Sequence, residues 1–140
     1  MARITVWLFI EAPDLTLEEI SARIGLVPDK SWKIGDPRGK TGKVFETNSW
    51  TLESRREVDE NPMVVCENLQ FCLNDVLHRI ENYADRYKNV ASGRTAGLYL
   101  GIFADEAPAV KLQAATIKAI SALAVDLEID LMLYNDSDSG

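Results

Sequence analysis

The chain has 140 residues, of which 46% are hydrophobic and 26% are charged, and its formal net charge is -7. This composition is typical of one globular domain that buries its own core, and it excludes a disordered chain. The acidic charge argues against general affinity for nucleic acid or anionic membranes, so we predict neither as a partner and favour a basic protein. Apolar runs such as 6–10 are too short to span a bilayer, and the first ten residues lack the pattern of a signal peptide, which predicts a cytoplasmic protein.

The first strand and the helix after it are both visible in the pattern of side chains. Residues 3–10 alternate apolar side chains on one face, and Trp7 and Phe9 on the other face are apolar too. This predicts a central strand that is covered on both sides toward its end. Thr16 followed by Glu19 has the form of a capping box, so we expect a helix to begin there. Its apolar residues recur three and four apart, and they are Leu17, Ile20, Ile24 and Val27.

The rest of the chain alternates strand and helix patterns. In chain order we predict a short strand at 31–34, a strand at 44–53, a helix at 62–87, a strand at 98–103, a helix at 112–123 and a strand at 127–134. The order β-α-β-β-α-β-α-β predicts a single α+β domain over residues 1–134, with 135–140 as a polar flexible tail. We expect a mostly antiparallel sheet with the helices packed on one face, a split βαβ arrangement and a variant of the ferredoxin-like fold.

Residues 35–41, with the sequence GDPRGKT, are similar to a phosphate-binding P-loop. They are one residue too short, and a predicted strand follows where a P-loop needs a helix. We therefore favour a turn-rich basic hairpin loop. In this interpretation Gly35 is a left-handed turn residue and the Asp36 side chain bonds nearby backbone amides.

The same Gly-rich loop, 33–43, suggests an alternative function. Its basic residues make it a positive patch on an acidic body. As a small-anion or nucleotide-binding sensor or enzyme, the protein would hold the anion with Arg38 and Lys40, and Trp32 or Trp50 would supply a stacking surface. The two tryptophans are predicted to face each other across a hairpin, and core packing is favoured over a ligand platform. The candidate ligand-binding residues are Trp32, Lys33, Gly35, Asp36, Arg38, Lys40 and Trp50.

The pattern at 62–87 predicts one long helix with a wide apolar stripe, and Cys66 and Cys72 are expected to be buried on it. Phe71 and His78 fall on the opposite side, seven residues apart, and form a candidate contact surface for a partner. With a single histidine and these two cysteines, the sequence predicts no metal site, no cofactor and no catalytic residues. It favours a protein that is not an enzyme.

Three separated signatures occur in order along the chain: IGLVP at 24–28, WKIGD at 32–36 and WTLES at 50–54. Together with LEEI at 17–20 and the ending IDLMLY at 129–134, they resemble a family of small bacterial proteins, the domain of unknown function numbered four-two-seven-nine. The resemblance covers nearly the whole chain. It implies a compact α+β domain and implies no activity, and the basic residues after Asp36 are not regarded as a family feature.

Our first hypothesis is a non-catalytic acidic binding module that recognises another protein, for example by neutralising a basic toxin as bacterial immunity proteins do. The net charge of -7 and the absence of a predicted catalytic group motivate it. A further hypothesis is a homo-oligomer that pairs through a sheet edge or through the Phe71 surface.

Overall fold

The computed structural model describes residues 1–134, and the predicted tail at 135–140 lies outside the described residues. The strands are β1 (Ala2–Ala12), β2 (Lys30–Trp32), β3 (Asn48–Val58), β4 (Thr95–Ala104) and β5 (Asp126–Leu133). The helices are α1 (Leu17–Ile24), α2 (Pro62–Ile80), α3 (Ala84–Ala91) and α4 (Ala114–Ala122), and a 3-10 turn at Glu81–Tyr83 joins α2 to α3.

The strands form one open sheet in the order β2-β3-β1-β4-β5. Strand β1 is antiparallel to both β3 and β4, and β2 is antiparallel to β3. Strand β3 therefore lies between β1 and β2, which is the split βαβ arrangement. Strand β5 is added parallel to β4 through the crossover helix α4. The predicted α+β domain with a mostly antiparallel sheet is confirmed.

The core lies between the sheet and its helices. Side chains at the even positions of β1 are fully buried, as are Trp50 of β3 and Tyr87 of α3. They pack against the apolar side of α2, where the predicted stripe is confirmed by the burial of Leu69, Leu73 and Val76. Large apolar side chains on this side contribute about 1.5–3 kcal/mol each to the free energy of unfolding.

Local signals set the ends of α1 and α2. Thr16 accepts a hydrogen bond from the Glu19 N–H at 3.1 Å, and the Glu19 carboxylate accepts one from the Thr16 N–H, so the predicted capping box is confirmed. Gly25 ends α1 with φ of 92°, in the left-handed region that glycine adopts without strain. Asn61 caps α2 by accepting from the Met63 N–H at 2.9 Å.

Several predicted bounds are corrected. Strand β3 begins at Asn48, four residues later than predicted, because Val44 is exposed and pairs only with Pro37 in an isolated bridge. The helix predicted at 62–87 is broken at the 3-10 turn, after which α3 turns to pack against α1. Val27 lies beyond the end of α1 and is exposed. Of the two free cysteines, Cys72 is buried as predicted, whereas Cys66 is only half-buried.

The Tyr87 hydroxyl offers a test of the core. It is fully buried and donates a hydrogen bond to the Phe9 carbonyl oxygen at 2.8 Å, and burial raises the pKa of this hydroxyl. We expect Tyr87→Phe to lower the free energy of unfolding by about 1 kcal/mol, because a buried carbonyl loses a donor. Tyr83→Phe is the control: Tyr83 is half-buried, and within residues 1–134 its hydroxyl has no hydrogen-bond partner. Urea unfolding that shows equal losses for both variants would contradict this role of Tyr87.

Candidate functional site

One face of the sheet carries no helix within residues 1–134. Residues directly opposite each other on paired strands point to the same face. The side without a helix is formed by the odd-numbered side chains of β1, β3 and β4 and the even-numbered side chains of β2 and β5. We call this surface the open face. The prediction that β1 is covered on both sides is therefore wrong. Trp7 and Phe9 lie on the open face and are half-buried there, because the helices pack only on the other side.

Two glycines of β4 shape the middle of the open face. A side chain at Gly97 would come within 3.3 Å of the Phe9 ring, and one at Gly101 within 2.9 Å of the Tyr99 ring. The glycines therefore leave room for these rings to lie across the sheet. The Trp7 and Tyr99 rings are neighbours, with centroids 5.3 Å apart. The spacing Gly-x-Tyr-x-Gly at 97–101 is a signal in the sequence that would have indicated this surface.

Trp7 is fixed by polar contacts. Its indole N–H donates to the carboxylate of Glu53, the residue opposite it on β3. The same Glu53 oxygen lies 3.2 Å from the Lys30 ammonium, which is 5.3 Å from the centroid of the Trp7 ring. A lysine ammonium is thus held between a carboxylate and an aromatic ring, an arrangement that favours a cation.

Asp29, which directly precedes β2, connects β2 to β3 and α2. Its carboxylate accepts two hydrogen bonds from the Arg79 guanidinium of α2, at 2.7 and 2.9 Å, and one from the Glu53 N–H at 2.8 Å. Partial burial opposes ionisation, but the hydrogen bonds from Arg79 and Glu53 outweigh it and hold the pKa of the Asp29 carboxyl below its usual range. The start of β2 is thereby attached to β3 and α2.

The open face contains a concavity of about 300 Å³. It is lined by Trp7, Phe9, Glu11, Trp32, Ser49, Thr51, Tyr99 and Glu128. Trp32 forms one wall and stacks on Phe45, with ring centroids 4.6 Å apart. Trp7, Phe9 and Tyr99 come from the neighbouring strands β1 and β4, and we call these three rings the aromatic floor. Glu11 lies near the end of β1 and Glu128 on the outermost strand β5, so we place these carboxylates at the margin.

Negative charge dominates the open face. Its acidic residues are Glu11, Glu53, Glu57, Asp126, Glu128 and Asp130, and its basic residues are Arg3, Lys30 and Arg55. No cation of residues 1–134 lies within salt-bridge distance of Glu11, Asp126 or Glu128. The Tyr99 hydroxyl donates to Asp130 at 3.1 Å, and partial desolvation together with the charges of Asp130 and Glu128 raises the pKa of Tyr99.

The two tryptophans of the candidate ligand site are separated by the sheet. Trp32 pairs with Ser49 and Trp50 pairs with Ser31, so their side chains point to opposite faces and do not face each other as predicted. Trp50 is fully buried in the core, where its indole N–H donates to the Leu26 carbonyl oxygen at 3.1 Å. Of these two tryptophans, only Trp32 reaches the open face.

The basic loop forms a hairpin. Gly35 has φ of 91°, and the Asp36 carboxylate accepts a hydrogen bond from the Lys33 N–H at 2.8 Å, as the turn interpretation predicted. The Arg38 N–H donates to the Lys43 carbonyl oxygen at 2.9 Å. The chain then continues into β3, so no helix follows the P-loop-like sequence.

The cations of this loop are not gathered at one point. Arg38 and Lys43 line a groove of about 700 Å³ beside Trp32, and two carboxylates, those of Glu11 and Glu46, line the same groove. Lys33 and Lys40 lie outside this groove, and the Lys33 ammonium is 3.9 Å from Glu18. An anion in the groove would meet both signs of charge.

Phe71 and His78 both lie on the solvent side of α2. The Phe71 ring is half-exposed and is covered in part by Arg56, whose guanidinium carbon lies 3.8 Å from the ring centroid. His78 Nδ1 is 3.5 Å from the Glu81 carboxylate, and His78 lines a groove of about 590 Å³ between α2 and α4. Phe71 is not part of that groove.

Within residues 1–134, no group of three or more His, Cys, Asp or Glu side chains is arranged to hold a metal ion. No helix in this part of the chain is both long and apolar enough to cross a membrane.

The fold and the open face together define an α+β domain with an acidic sheet surface that no helix of residues 1–134 covers. The model of the family described as Domain of unknown function (DUF4279) matches residues 2–134. The chain belongs to this family, as its signatures predicted. Comparison with curated proteins and with solved structures returns no match.

The Asp29 contact predicts a pH dependence of stability. A carboxyl whose pKa is lowered by folding stabilises the protein above its unfolded pKa, about 4, and loses this contribution as the pH falls through its folded value. We expect Asp29→Asn to lower the free energy of unfolding at pH 7 by about 1 kcal/mol, a value reduced for solvent screening because the side chain is 36% exposed.

The check is urea unfolding of the parent and Asp29→Asn at several pH values. The difference between them should shrink as the pH is lowered below about 4. Asp85→Asn is the control, since Asp85 is exposed and has no ion-pair partner among residues 1–134. A difference that stays constant with pH would rule out this role of Asp29.

Proposed function

We propose that the protein is a non-catalytic binding module and that its open face recognises a basic protein. The observation that carries the proposal is the combination of an aromatic floor with unpaired carboxylates on a sheet face that no helix within residues 1–134 covers. Cationic side chains interact favourably with both groups, over aromatic faces and beside carboxylates. Complementary charge also speeds the encounter of an acidic protein with a basic one.

The contact between Lys30, Trp7 and Glu53 shows the chemistry that we propose for the partner. Lys30 places its ammonium over an indole ring while a carboxylate neutralises it. The adjacent concavity offers a similar set of groups, with Trp7 and Tyr99 as its floor and Glu128 at its margin. At about 300 Å³ it is at the lower limit of ordinary ligand pockets, a size that suits one or two long side chains.

Aromatic side chains on an open sheet face also suit stacked nucleic-acid bases. Affinity for nucleic acid depends mainly on cations that neutralise phosphates. On this face the acidic residues outnumber the basic ones, and each basic residue already contacts a carboxylate or an aromatic ring: Arg3 with Phe103, Lys30 with Glu53 and Arg55 with Glu57. The charge therefore supports a basic protein and disfavours RNA or DNA.

The alternative of a small-anion or nucleotide-binding sensor or enzyme has less support. Arg38 and Lys43 share their groove with Glu11 and Glu46, whose charges oppose an anion. Lys40, which the alternative needs, lies outside the groove.

Neutralisation of a basic toxin, as bacterial immunity proteins perform it, is one activity that such a module would have. An acidic surface that covers a basic active site needs no catalytic group of its own. We propose a cytoplasmic location for this binding, because the two cysteines are free thiols, as is usual in a reducing compartment.

The test compares immobilised parent protein with two variants that lose the same charge. Glu11→Gln/Glu128→Gln removes carboxylates from the open face, and Glu67→Gln/Asp85→Asn removes exposed carboxylates from the helices. Lysate proteins are applied at low salt, where charge contacts are strongest. We expect a basic protein that the parent and the helix variant retain to the same extent and the open-face variant retains more weakly.

The dissociation constant of that protein should rise by about fivefold in the open-face variant, since two exposed charge contacts contribute about 1 kcal/mol together. Titration calorimetry on the purified pair measures it. Retention of the same proteins by all three columns would contradict recognition through the open face.

A further inference from the structure

We infer that the partner contributes an extended segment to the outer edge of β5, and that this segment alternates basic with apolar side chains. The inference depends on the proposed function, because it specifies how a basic partner engages the acidic face. It follows from three properties of β5 within residues 1–134: an outer edge that pairs with no strand there, an apolar row that no helix there covers, and an acidic row.

The outer edge of β5 has backbone groups that can receive another strand. Strand β5 is the last in the sheet, and within residues 1–134 no strand pairs with its outer side. The Tyr134 N–H donates to the Ala104 carbonyl oxygen of β4 at 3.1 Å. Because N–H and C=O directions alternate along a strand, even-numbered residues of β5 bond to β4 and odd-numbered residues direct theirs outward.

The odd-numbered side chains of β5 form an apolar row that the helices do not cover. Each lies beside a fully buried residue of β4 in the parallel register. Leu98, Leu100 and Ile102 are 0–1% exposed, whereas their neighbours Leu127, Ile129 and Leu131 are 37–44% exposed. Within residues 1–134 the apolar core thus continues to the sheet edge without a cover. An added strand with apolar side chains on this side would extend the core.

The even-numbered side chains of β5 supply the charge that selects the partner. Asp126, Glu128 and Asp130 lie on the open face at every second position. A strand that pairs with this edge places its side chains beside them on the same face, about 5 Å away. Basic side chains at alternate positions would therefore meet acidic ones, while apolar side chains in between would meet the apolar row.

A second copy of this chain fits the edge poorly. If two β5 strands pair in antiparallel fashion with the symmetry axis at Ile129, Glu128 of each copy lies opposite Asp130 of the other. If the symmetry axis moves by one residue along β5, either Glu128 or Asp130 lies opposite the same residue of the other copy. Like charges directly opposite each other are destabilising. The tail at 135–140 also lacks the required charge, since it has two aspartates and no basic residue.

Two synthetic peptides test the inference on the full-length protein. One is an octapeptide that alternates lysine and valine, and the other has the same residues in two blocks, four lysines followed by four valines. Their net charge and composition are equal, so charge attraction alone does not distinguish them. Titration calorimetry at low salt should give a dissociation constant for the alternating peptide that is lower by about tenfold or more.

Ile129→Pro tests the backbone contact. It removes an outward N–H and leaves the hydrogen bonds to β4 in place, and edge strands accept proline at such positions. We expect it to abolish the preference for the alternating peptide, whereas the matched variant Ile129→Thr, which keeps the N–H, should preserve it. Circular dichroism checks the fold of both. Glu128→Lys is a second test that leaves the backbone intact, and it should weaken binding of the alternating peptide by about fivefold.

Equal affinity for the two peptides, or a preference that survives in Ile129→Pro, would overturn strand addition and leave recognition by the open face standing. Binding of neither peptide would overturn strand addition as well. The proposed function has its own test in the column comparison, which does not depend on how the partner is shaped.

Discussion

The alternation of side chains along β1 is the constraint on which the rest of the structure depends. Its even positions are fully buried against the helices, and each large one contributes about 1.5–3 kcal/mol by leaving water. A slip of one residue in the pairing of β1 would exchange its two faces. The register with β3 and β4 is therefore fixed by the core. Trp7, Phe9 and Glu11 lie on the open face because the residues next to them in β1 point into the core.

The same constraint explains why charge collects on the open face. Carboxylates are costly to bury, so a face without helices is where strands of this sheet carry them. Glu53 illustrates how the two faces are coupled. Its side chain holds Trp7 and Lys30 on the open face, while its backbone N–H bonds Asp29, which binds Arg79 from the helix layer. The position of β2 at the margin of the open face thus depends on a helix on the other side of the sheet.

Structural features that depend on residues close together in the sequence are predicted well. Features that depend on the register between strands are predicted poorly. The Thr16 cap and the Asp36 turn depend on neighbours three residues away, and both were predictable. The two tryptophans differ: which face each occupies depends on how β2 pairs with β3, so Trp32 and Trp50 were expected to face each other and do not. The open face was missed because it requires knowing on which side the helices pack. The contact of Asp29 with Arg79 spans 50 residues and left no local signal.

The edge at β5 combines two properties that oppose each other. An apolar strand with a free edge invites association with any extended chain. Acidic residues at alternate positions restrict this, because they repel a second copy and chains of like charge. The same residues attract a strand of opposite charge. In the binding that we propose at this edge, specificity is a difference between two free energies: the carboxylates disfavour pairing with a second copy and favour pairing with a basic segment. Placing the aromatic concavity on the same face, beside Glu128, brings a second contact within reach of any segment that pairs with β5.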